Sequence, residues 1–264
     1  MRPRSAVPTL LLGGVAALLA CGEPLARGRT AVAHAEHPRA AFAFPEAALV
    51  DVLRSGQLGA YCSGALVAPR VVLTAGHCVM GTDGFTPEGW RVTLPYAGTG
   101  GTGAIPVVDA TTYDWEPTRG TVDPTRHDIG LLFLARAVAL PAAQCPRLAT
   151  APLSDETPVV HVGRLHEGVP SRTSLFVGEP VAVTDGAAAG FPFAYDAQAV
   201  IAQGDSGGPV VEPDASPHVI VAVGSGSSPG RNEVLARVDL LNGASNRWLA
   251  DQIAAHGGPC GASP

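Results

Sequence analysis

The stretch GDSGGPV, at 204–210, places one serine between an aspartate and three residues that disfavour both helix and strand. Gly207, Gly208 and Pro209 favour a tight turn with little side-chain bulk, so the backbone around Ser206 can approach another molecule closely. Such a segment is either an ordinary turn or the support for a serine nucleophile.

A serine hydroxyl is a weak nucleophile near neutral pH, so it needs a histidine to take its proton and a carboxylate to orient that histidine. His77, in TAGHC, follows one apolar run, and Asp128, in HDIGLLFL, begins another. A lone histidine or aspartate is more often structural than catalytic, so these residues are candidates only together with Ser206. The sequence has no HExxH or comparable ligand cluster, so we expect neither a metal nor another cofactor.

Short apolar runs separated by turn residues surround these candidates, as is typical of β-strands. One series runs from AALVDVL to DIGLLFL, and a second, after a proline-rich crossing at 140–158, runs from PVVHVG to LARVDL. His77 and Asp128 belong to the first series and Ser206 to the second, so a cleft between two β-units would bring them together. The stretch SNRWLADQIAAH at 245–256 predicts one terminal helix, with its first serine as the cap.

Composition limits the classes of protein to which the chain can belong. Gly 32 and Pro 24 among 264 residues supply many turns, and the 46% hydrophobic share allows one large core or two modest ones. The formal net charge of -6 comes with no basic run, which argues against a nucleic-acid partner. We expect a monomer.

The N-terminus predicts export. Two arginines precede the apolar segment 9–20, which suits a signal peptide and is too short to span a bilayer. The following LLAC resembles the lipobox of bacterial lipoproteins and predicts lipidation of Cys21; the alternative is a plain secretory signal with an incidental cysteine. We expect a signal peptide at 1–20 and a lipid-anchored tether or propeptide-like linker at 21–44, with membrane contact only through the lipid, on the periplasmic or cell-surface side.

The segments CSGALVAPRVVLTAGHC, HDIGLLFL and QGDSGGPVV resemble the catalytic blocks of the trypsin-like (chymotrypsin-fold) serine proteases, in that family's order of His, Asp and Ser. The resemblance extends from about Ala48 to His256 and implies an all-β fold. It implies two six-stranded antiparallel β-barrels packed face to face, followed by a C-terminal α-helix. The expected bounds are 45–140 for the N-terminal barrel, 141–158 for the connection, 159–243 for the C-terminal barrel and 244–260 for the helix.

At the matching positions, the resemblance implies a serine endopeptidase that acts on protein or peptide substrates. Ser206 would attack the scissile carbonyl, His77 would be general base and then acid, and Asp128 would orient and stabilise the imidazolium. The backbone N–H groups of Gly204 and Ser206 would form the oxyanion hole. An α/β-hydrolase esterase is disfavoured, because DSGGP leads into a strand rather than a helix. The alternative from another class is a binding module on a protease scaffold that has lost its activity.

The resemblance also implies two disulfides. Cys62 and Cys78 match the family's histidine-loop pair, and Cys145 and Cys260 would join the crossing to the terminal helix. Five cysteines in an exported chain leave one unpaired, and lipidation of Cys21 would account for it.

Two departures from the family pattern bear on activity. In members activated by cleavage, the mature chain usually begins with a motif like IVGG, and its new amino group pairs with the aspartate before the serine, here Asp205. No such motif precedes Cys62 in this sequence. The family's SWG segment, which supports the catalytic aspartate, reads AVG from Ala222 to Gly224, so its hydroxyl is missing or supplied elsewhere.

We expect an apolar primary specificity pocket. The residue six before the nucleophile, an aspartate in members that select Lys or Arg, is here Val200, followed by Ile201. A cation placed there would lose hydration, so we predict cleavage after small or medium apolar residues. Glu233 is the one acid that could reverse this preference, and the alternative is that it is a solvated loop residue. The candidate pocket residues are Val200, Ile201, Ala222, Val223, Gly224 and Glu233.

Overall fold

The computed structural model describes residues 39–117, 122–198, 201–227, 232–258 and 260. The signal peptide at 1–20, Cys21 and Val200 lie outside these described residues, so what the sequence predicts for them remains a prediction. Within the described part of the chain, no helix is both long and apolar enough to cross a membrane.

The first six apolar runs form a closed antiparallel barrel. A short strand β1 (Arg39–Ala40) precedes it, and its strands pair in the order β2-β3-β4-β7-β6-β5. Their bounds are β2 (Ala47–Arg54), β3 (Gln57–Ala68), β4 (Val71–Thr74), β5 (Gly89–Thr93), β6 (Ile105–Thr112) and β7 (Gly130–Leu134). Helix α1 (Gly76–Met80) follows β4. Alternate residues point inward, so Val50, Leu66, Val72, Val92 and Leu132 fill the interior.

The second series of runs closes a second six-stranded barrel, in the order β9-β13-β14-β17-β16-β15, with β15 pairing back to β9. Between the barrels lies β8 (Arg147–Leu148), which pairs with β16. The further strands are β9 (Thr157–Gly163), β10 (Leu165–His166), β11 (Val169–Pro170), β12 (Phe176–Val177), β13 (Val181–Asp185), β14 (Ala194–Gln198), β15 (Pro209–Val211), β16 (Val219–Ser227) and β17 (Asn232–Arg237). The predicted fold of two six-stranded barrels is confirmed.

The structure divides the second series differently from the sequence. The run LFVGEPVAV contains two strands, β12 and β13, because Gly178 and Pro180 interrupt the ladder between them. Strand β14, AYDAQ, was not predicted, because its polar residues hide the alternation that marks a strand.

The C-terminal helix is α3 (Trp248–Ala255), preceded by a short helix α2 (Asp239–Asn242). Leu249 and Ile253 are buried on the face that packs against the barrels. The predicted serine cap is wrong: Arg247 occupies the N-cap position without a side-chain cap, and Asn246 Oδ1 instead accepts a bond of 3.1 Å from the Trp248 N–H.

One apolar cluster joins the two barrels face to face. It contains Leu73, Leu131 and Phe133 from the first barrel and Val160 and Val162 from the second, all of them buried. The disulfides Cys62–Cys78 and Cys145–Cys260 form as expected. The cluster fixes the junction at which the candidate site lies.

Candidate active site

His77 lies in the first turn after β4, where α1 begins. Gly76 allows this close packing, because a Cβ at that position would lie 2.8 Å from Trp115 Cβ and 3.1 Å from Asp128 Oδ1. The His77 backbone N–H donates to Asp128 Oδ1 at 2.8 Å, and His77 Nδ1 lies 2.8 Å from Asp128 Oδ2. Both residues are buried, and the carboxylate orients the imidazole through Nδ1 and holds the His77 backbone through its N–H.

Asp128 receives a third hydrogen bond from a residue that sequence reasoning missed. Ser225 Oγ donates to Asp128 Oδ2 at 2.6 Å. The assignment of this supporting segment to Ala222–Gly224 is therefore wrong, and of the two alternatives the second holds, since Ser225 supplies the hydroxyl. The register of β16 with β17 is irregular between Gly224 and Gly226, where Ser225 lies. A search for the serine alone, rather than for SWG, would have found it.

Ala222 and Val223 do not fit the predicted pocket. Both are fully buried, Ala222 in the core of the second barrel and Val223 in the cluster between the barrels. Their side chains point to opposite sides of β16, as the alternation of a strand requires.

The loop that carries Ser206 is held against the first barrel. The Ser63 N–H donates to the Ser206 carbonyl at 2.7 Å, and Ser63 Oγ donates to the Gly204 carbonyl at 3.1 Å. Gly207 has a φ of 81°, and a Cβ there would collide with Thr74 Oγ1. The glycine is therefore required by both backbone conformation and space. Ser206 itself is half-buried.

The histidine and the serine loop meet at the Cys62–Cys78 disulfide. Cys78 Sγ lies 3.7 Å from the carbonyl oxygen of Ser206, and Cys78 is the next residue after His77. The structure therefore joins His77 to Asp128 and places the backbone of Ser206 beside the residue that follows His77.

The same disulfide removes a possible metal site. In the described ranges, Cys62, His77 and Cys78 are grouped closely enough to bind a metal ion. The two sulfurs are bonded to each other, however, and thiolates rather than disulfides ligate metals. His77 Nδ1 is also engaged by Asp128.

Asp205, directly before Ser206, is a fully buried carboxyl group. Its Oδ1 accepts a bond of 2.8 Å from the Leu165 N–H and its Oδ2 one of 3.1 Å from the Ala202 N–H. Burial raises the pKa of Asp205 to about 6, and the backbone donors and the charge of Arg164 act in the opposite direction. Asp205 is therefore a second buried carboxyl group, besides Asp128, and it lies within the serine loop.

A second histidine–aspartate pair borders the site. The His127 N–H donates to Asp114 Oδ1 at 2.8 Å, and His127 Nδ1 lies 2.9 Å from Asp114 Oδ2. The His127 ring stacks on Phe193 of the second barrel, with centroids 4.1 Å apart. Because His127 precedes Asp128 in the chain, this pair fixes the backbone on which the Asp128 carboxylate depends.

The specificity candidates that remain are Ile201, Gly224 and Glu233. Ile201 is buried, and a Cβ on Gly224 would lie 3.3 Å from its Cγ2. Glu233 is 3% exposed and pairs with Ala197 across β14 and β17. Its interpretation as a solvated loop residue is therefore wrong, because it lies within strand β17 and is buried.

Two closed six-stranded barrels with a His–Asp pair at their junction define a chymotrypsin-like fold. The family model for trypsin matches residues 37–244. The chain therefore belongs to the trypsin family.

Solved structures share this fold. HL collagenase matches with 18% identity and a TM-score of 0.63, over 83% of this chain and 97% of that one. Human heparin binding protein matches with 21% identity and a TM-score of 0.58, over 86% of this chain and 98% of that one. A comparison with curated proteins finds no significant match.

Proposed function

We propose that the protein is a serine endopeptidase. The observation that carries the proposal is the two-point contact of Asp128 with His77, with both distances at 2.8 Å. The same carboxylate also accepts from Ser225. The His127–Asp114 pair makes the same two contacts, so what distinguishes Asp128 is its further bond from Ser225 and the position of His77 next to Cys78, whose Sγ lies 3.7 Å from the Ser206 carbonyl oxygen.

In the proposed reaction, Ser206 Oγ attacks the scissile carbonyl and His77 Nε2 takes its proton. Asp128 holds the histidine in the tautomer with hydrogen on Nδ1 and stabilises the imidazolium that forms. The N–H groups of Gly204 and Ser206 donate to the oxyanion, each lowering the barrier by about 3 kcal/mol. His77 then returns its proton to the leaving amine, and water hydrolyses the acyl-enzyme.

We propose that the substrate residue before the cut is apolar. Ile201 supports this preference, because it is aliphatic and buried beside Gly224. A cation against this surface would lose its hydration. Glu233 is the competing determinant, because a buried carboxylate beside the pocket would favour Lys or Arg.

The alternative function is binding without hydrolysis. Human heparin binding protein shares the fold, so the fold by itself does not imply catalysis. The absence of an IVGG-like motif before Cys62 favours this alternative.

Covalent labelling with a fluorophosphonate probe tests the proposed catalysis, because the probe reacts only with an activated serine. Wild type should be labelled at Ser206. His77→Ala should abolish labelling, and the control His256→Ala, at the distant end of α3, should not. A folded wild type that resists the probe would contradict the proposed endopeptidase activity and favour the binding alternative.

Cleavage of a mixed peptide library tests the specificity. An apolar residue before the cut supports the Ile201 assignment. Selection of Lys or Arg that disappears in Glu233→Gln would instead assign specificity to Glu233.

We also propose that the protein is exported and lipidated at Cys21. Two disulfides are typical of proteins that fold outside the reducing cytoplasm. Cys21→Ser should move the protein from the membrane fraction to the soluble exported fraction, and an unchanged distribution would contradict lipidation.

A further inference from the structure

A tyrosine beside the candidate site is held between two arginines. Tyr61 directly precedes Cys62 in β3. The guanidinium of Arg164 lies over the Tyr61 ring, 4.9 Å from its centroid, and Arg172 Nε donates to Tyr61 Oη at 2.9 Å. Arg164 is fully buried, whereas Arg172 is exposed. Arg172 is therefore the one of these two cations that a substrate can reach.

The neighbouring acid does not balance these arginines. Asp51 on β2 is paired with Tyr61 on β3 and with Arg91 on β5. Its Oδ1 lies 3.2 Å from Arg164 Nη1, and its Oδ2 lies 3.9 Å from Arg91 Nη2. These two arginines thus share one carboxylate, and Arg172 makes no ion pair with an acid in the described part of the chain. Although the formal net charge of the chain is -6, this patch therefore attracts a negatively charged group.

The hairpin of β10 and β11 places Arg172 beside the serine loop. The Ser171 N–H donates to the Arg164 carbonyl at 2.7 Å and closes the base of this hairpin. A Cβ on Gly204 would lie 3.1 Å from the Cβ of Pro170, the last residue of β11. Because Gly204 is a proposed donor to the oxyanion, Arg172 follows a segment that borders the candidate site.

Tyr61 lies on the side of the leaving group. The candidate pocket for the residue before the cut, at Ile201 and Gly224, belongs to the second barrel. Tyr61 belongs to the first barrel and precedes Cys62, whose disulfide partner follows His77. In the proposed reaction His77 gives its proton to the leaving amine, so the residues after the cut lie on its side.

The geometry of β3 sets which substrate residue is within reach. The Ser63 N–H donates to the Ser206 carbonyl at 2.7 Å, and Tyr61 lies two residues from Ser63 along the strand. A strand advances about 3.3 Å per residue, so Tyr61 is about 7 Å from this contact. An extended substrate covers the same distance with its second residue after the cut.

We infer that Arg172, held by Tyr61, selects an acidic residue at the second position after the cut. The bond to Tyr61 uses one of the five N–H donors of the guanidinium, so the two terminal nitrogens can donate to a Glu or Asp carboxylate. Arg172 is thus a residue that determines specificity on the leaving-group side. The position of the cut rests on the proposed endopeptidase function, whereas the affinity for an acidic peptide does not depend on hydrolysis.

Two peptide mixtures test this inference. Both carry a central leucine, and they differ only in Glu or Gln at the second position after it. Wild type should cleave the Glu mixture with a kcat/KM about fivefold higher than that for the Gln mixture, the upper range for an exposed ion pair, and the difference should shrink at high salt. Arg172→Gln should bring this ratio to about one, and Arg172→Glu should invert it. The control Arg147→Gln, which removes an exposed arginine of β8, should keep the wild-type ratio.

Peptide binding separates this inference from the proposed function. Dye-labelled forms of the two mixtures, titrated into Ser206→Ala, report affinity without hydrolysis. Suppose that wild type cleaves neither mixture, but Ser206→Ala binds the Glu mixture more tightly and loses this preference when Arg172→Gln is added. That result would refute the endopeptidase and keep the inference. Equal affinity for the two mixtures, or a preference that survives Arg172→Gln, would refute the inference. If Arg172→Gln does not fold, Tyr61→Phe, which removes only the hydroxyl that holds Arg172, must lower the preference.

Discussion

The two disulfides should have different effects on stability and on the site. Cys62–Cys78 closes a loop with a sequence separation of 16 residues beside His77, and Cys145–Cys260 closes one of 115 residues away from it. The informative perturbation is the replacement of each pair by alanines, in separate variants.

Loop length sets the expected magnitudes. In the chain-entropy model, the cross-link removes freedom from the unfolded chain as the logarithm of loop length. With the separations above, loss of Cys145–Cys260 should lower the free energy of unfolding by about 5 kcal/mol, and loss of Cys62–Cys78 by about 3 kcal/mol. A domain with a stability of roughly 5–15 kcal/mol can remain folded after either loss.

The order should reverse for labelling. Cys78 lies 3.7 Å from the Ser206 carbonyl and adjoins His77, so removal of the short-loop disulfide loosens the site directly. Cys145 contacts the connection between the barrels instead. The long-loop variant should label at the wild-type rate while folded, and the short-loop variant should label more slowly.

Urea unfolding, followed by tryptophan fluorescence and extrapolated to water, measures the first quantity, and fluorophosphonate labelling below the unfolding transition measures the second. A larger loss of stability in the short-loop variant would refute the entropy argument. A folded long-loop variant that has lost labelling would refute the assignment of the short-loop disulfide to the site.

Three further predictions concern the site. Ser225→Ala removes one of the donors to Asp128 and should slow labelling by about tenfold, since a hydrogen bond to a charged group contributes about 1.5 kcal/mol. An unchanged labelling rate would contradict the supporting role of Ser225. Burial raises the pKa of Asp205 from 3.8 to about 6, so the folded state binds this proton more tightly than the unfolded state does. The free energy of unfolding should therefore fall by on the order of 3 kcal/mol as pH rises from about 4 to 6. Urea titrations of Asp205→Asn should lack this decrease, and a pH profile identical to that of wild type would refute the prediction. Asp114→Asn should weaken the contacts to His127 and lower the free energy of unfolding by about 1–2 kcal/mol in the same urea assay. A stability equal to that of wild type would show that the His127–Asp114 pair is not structural.

Local patterns in the sequence predicted the strands of the first barrel, because an alternation of apolar residues and a turn can each be read within a few residues. The three motifs around His77, Asp128 and Ser206 could be found for the same reason. The glycines of GDSGGPV were also interpretable in advance, since a tight turn restricts the residues that it can contain.

Strand β14 and the start of α3 were harder to predict. Tertiary pairing with β13 and β17, rather than its own polar sequence, makes Ala194–Gln198 a strand. At the helix, Asn246 rather than Ser245 bonds to the first turn, because its side chain can reach the Trp248 N–H.

The sequence by itself determined the double-barrel fold and the identity of the candidate triad. Only the tertiary structure decided which distant residues meet: Ser225 reaches Asp128 across 97 residues, Arg164 reaches Asp51 across 113, and Glu233 is buried within β17. These contacts depend on strand register and on the closure of two barrels, which no local pattern encodes. A shift of one residue along β16 would turn Ser225 to the opposite face of its strand.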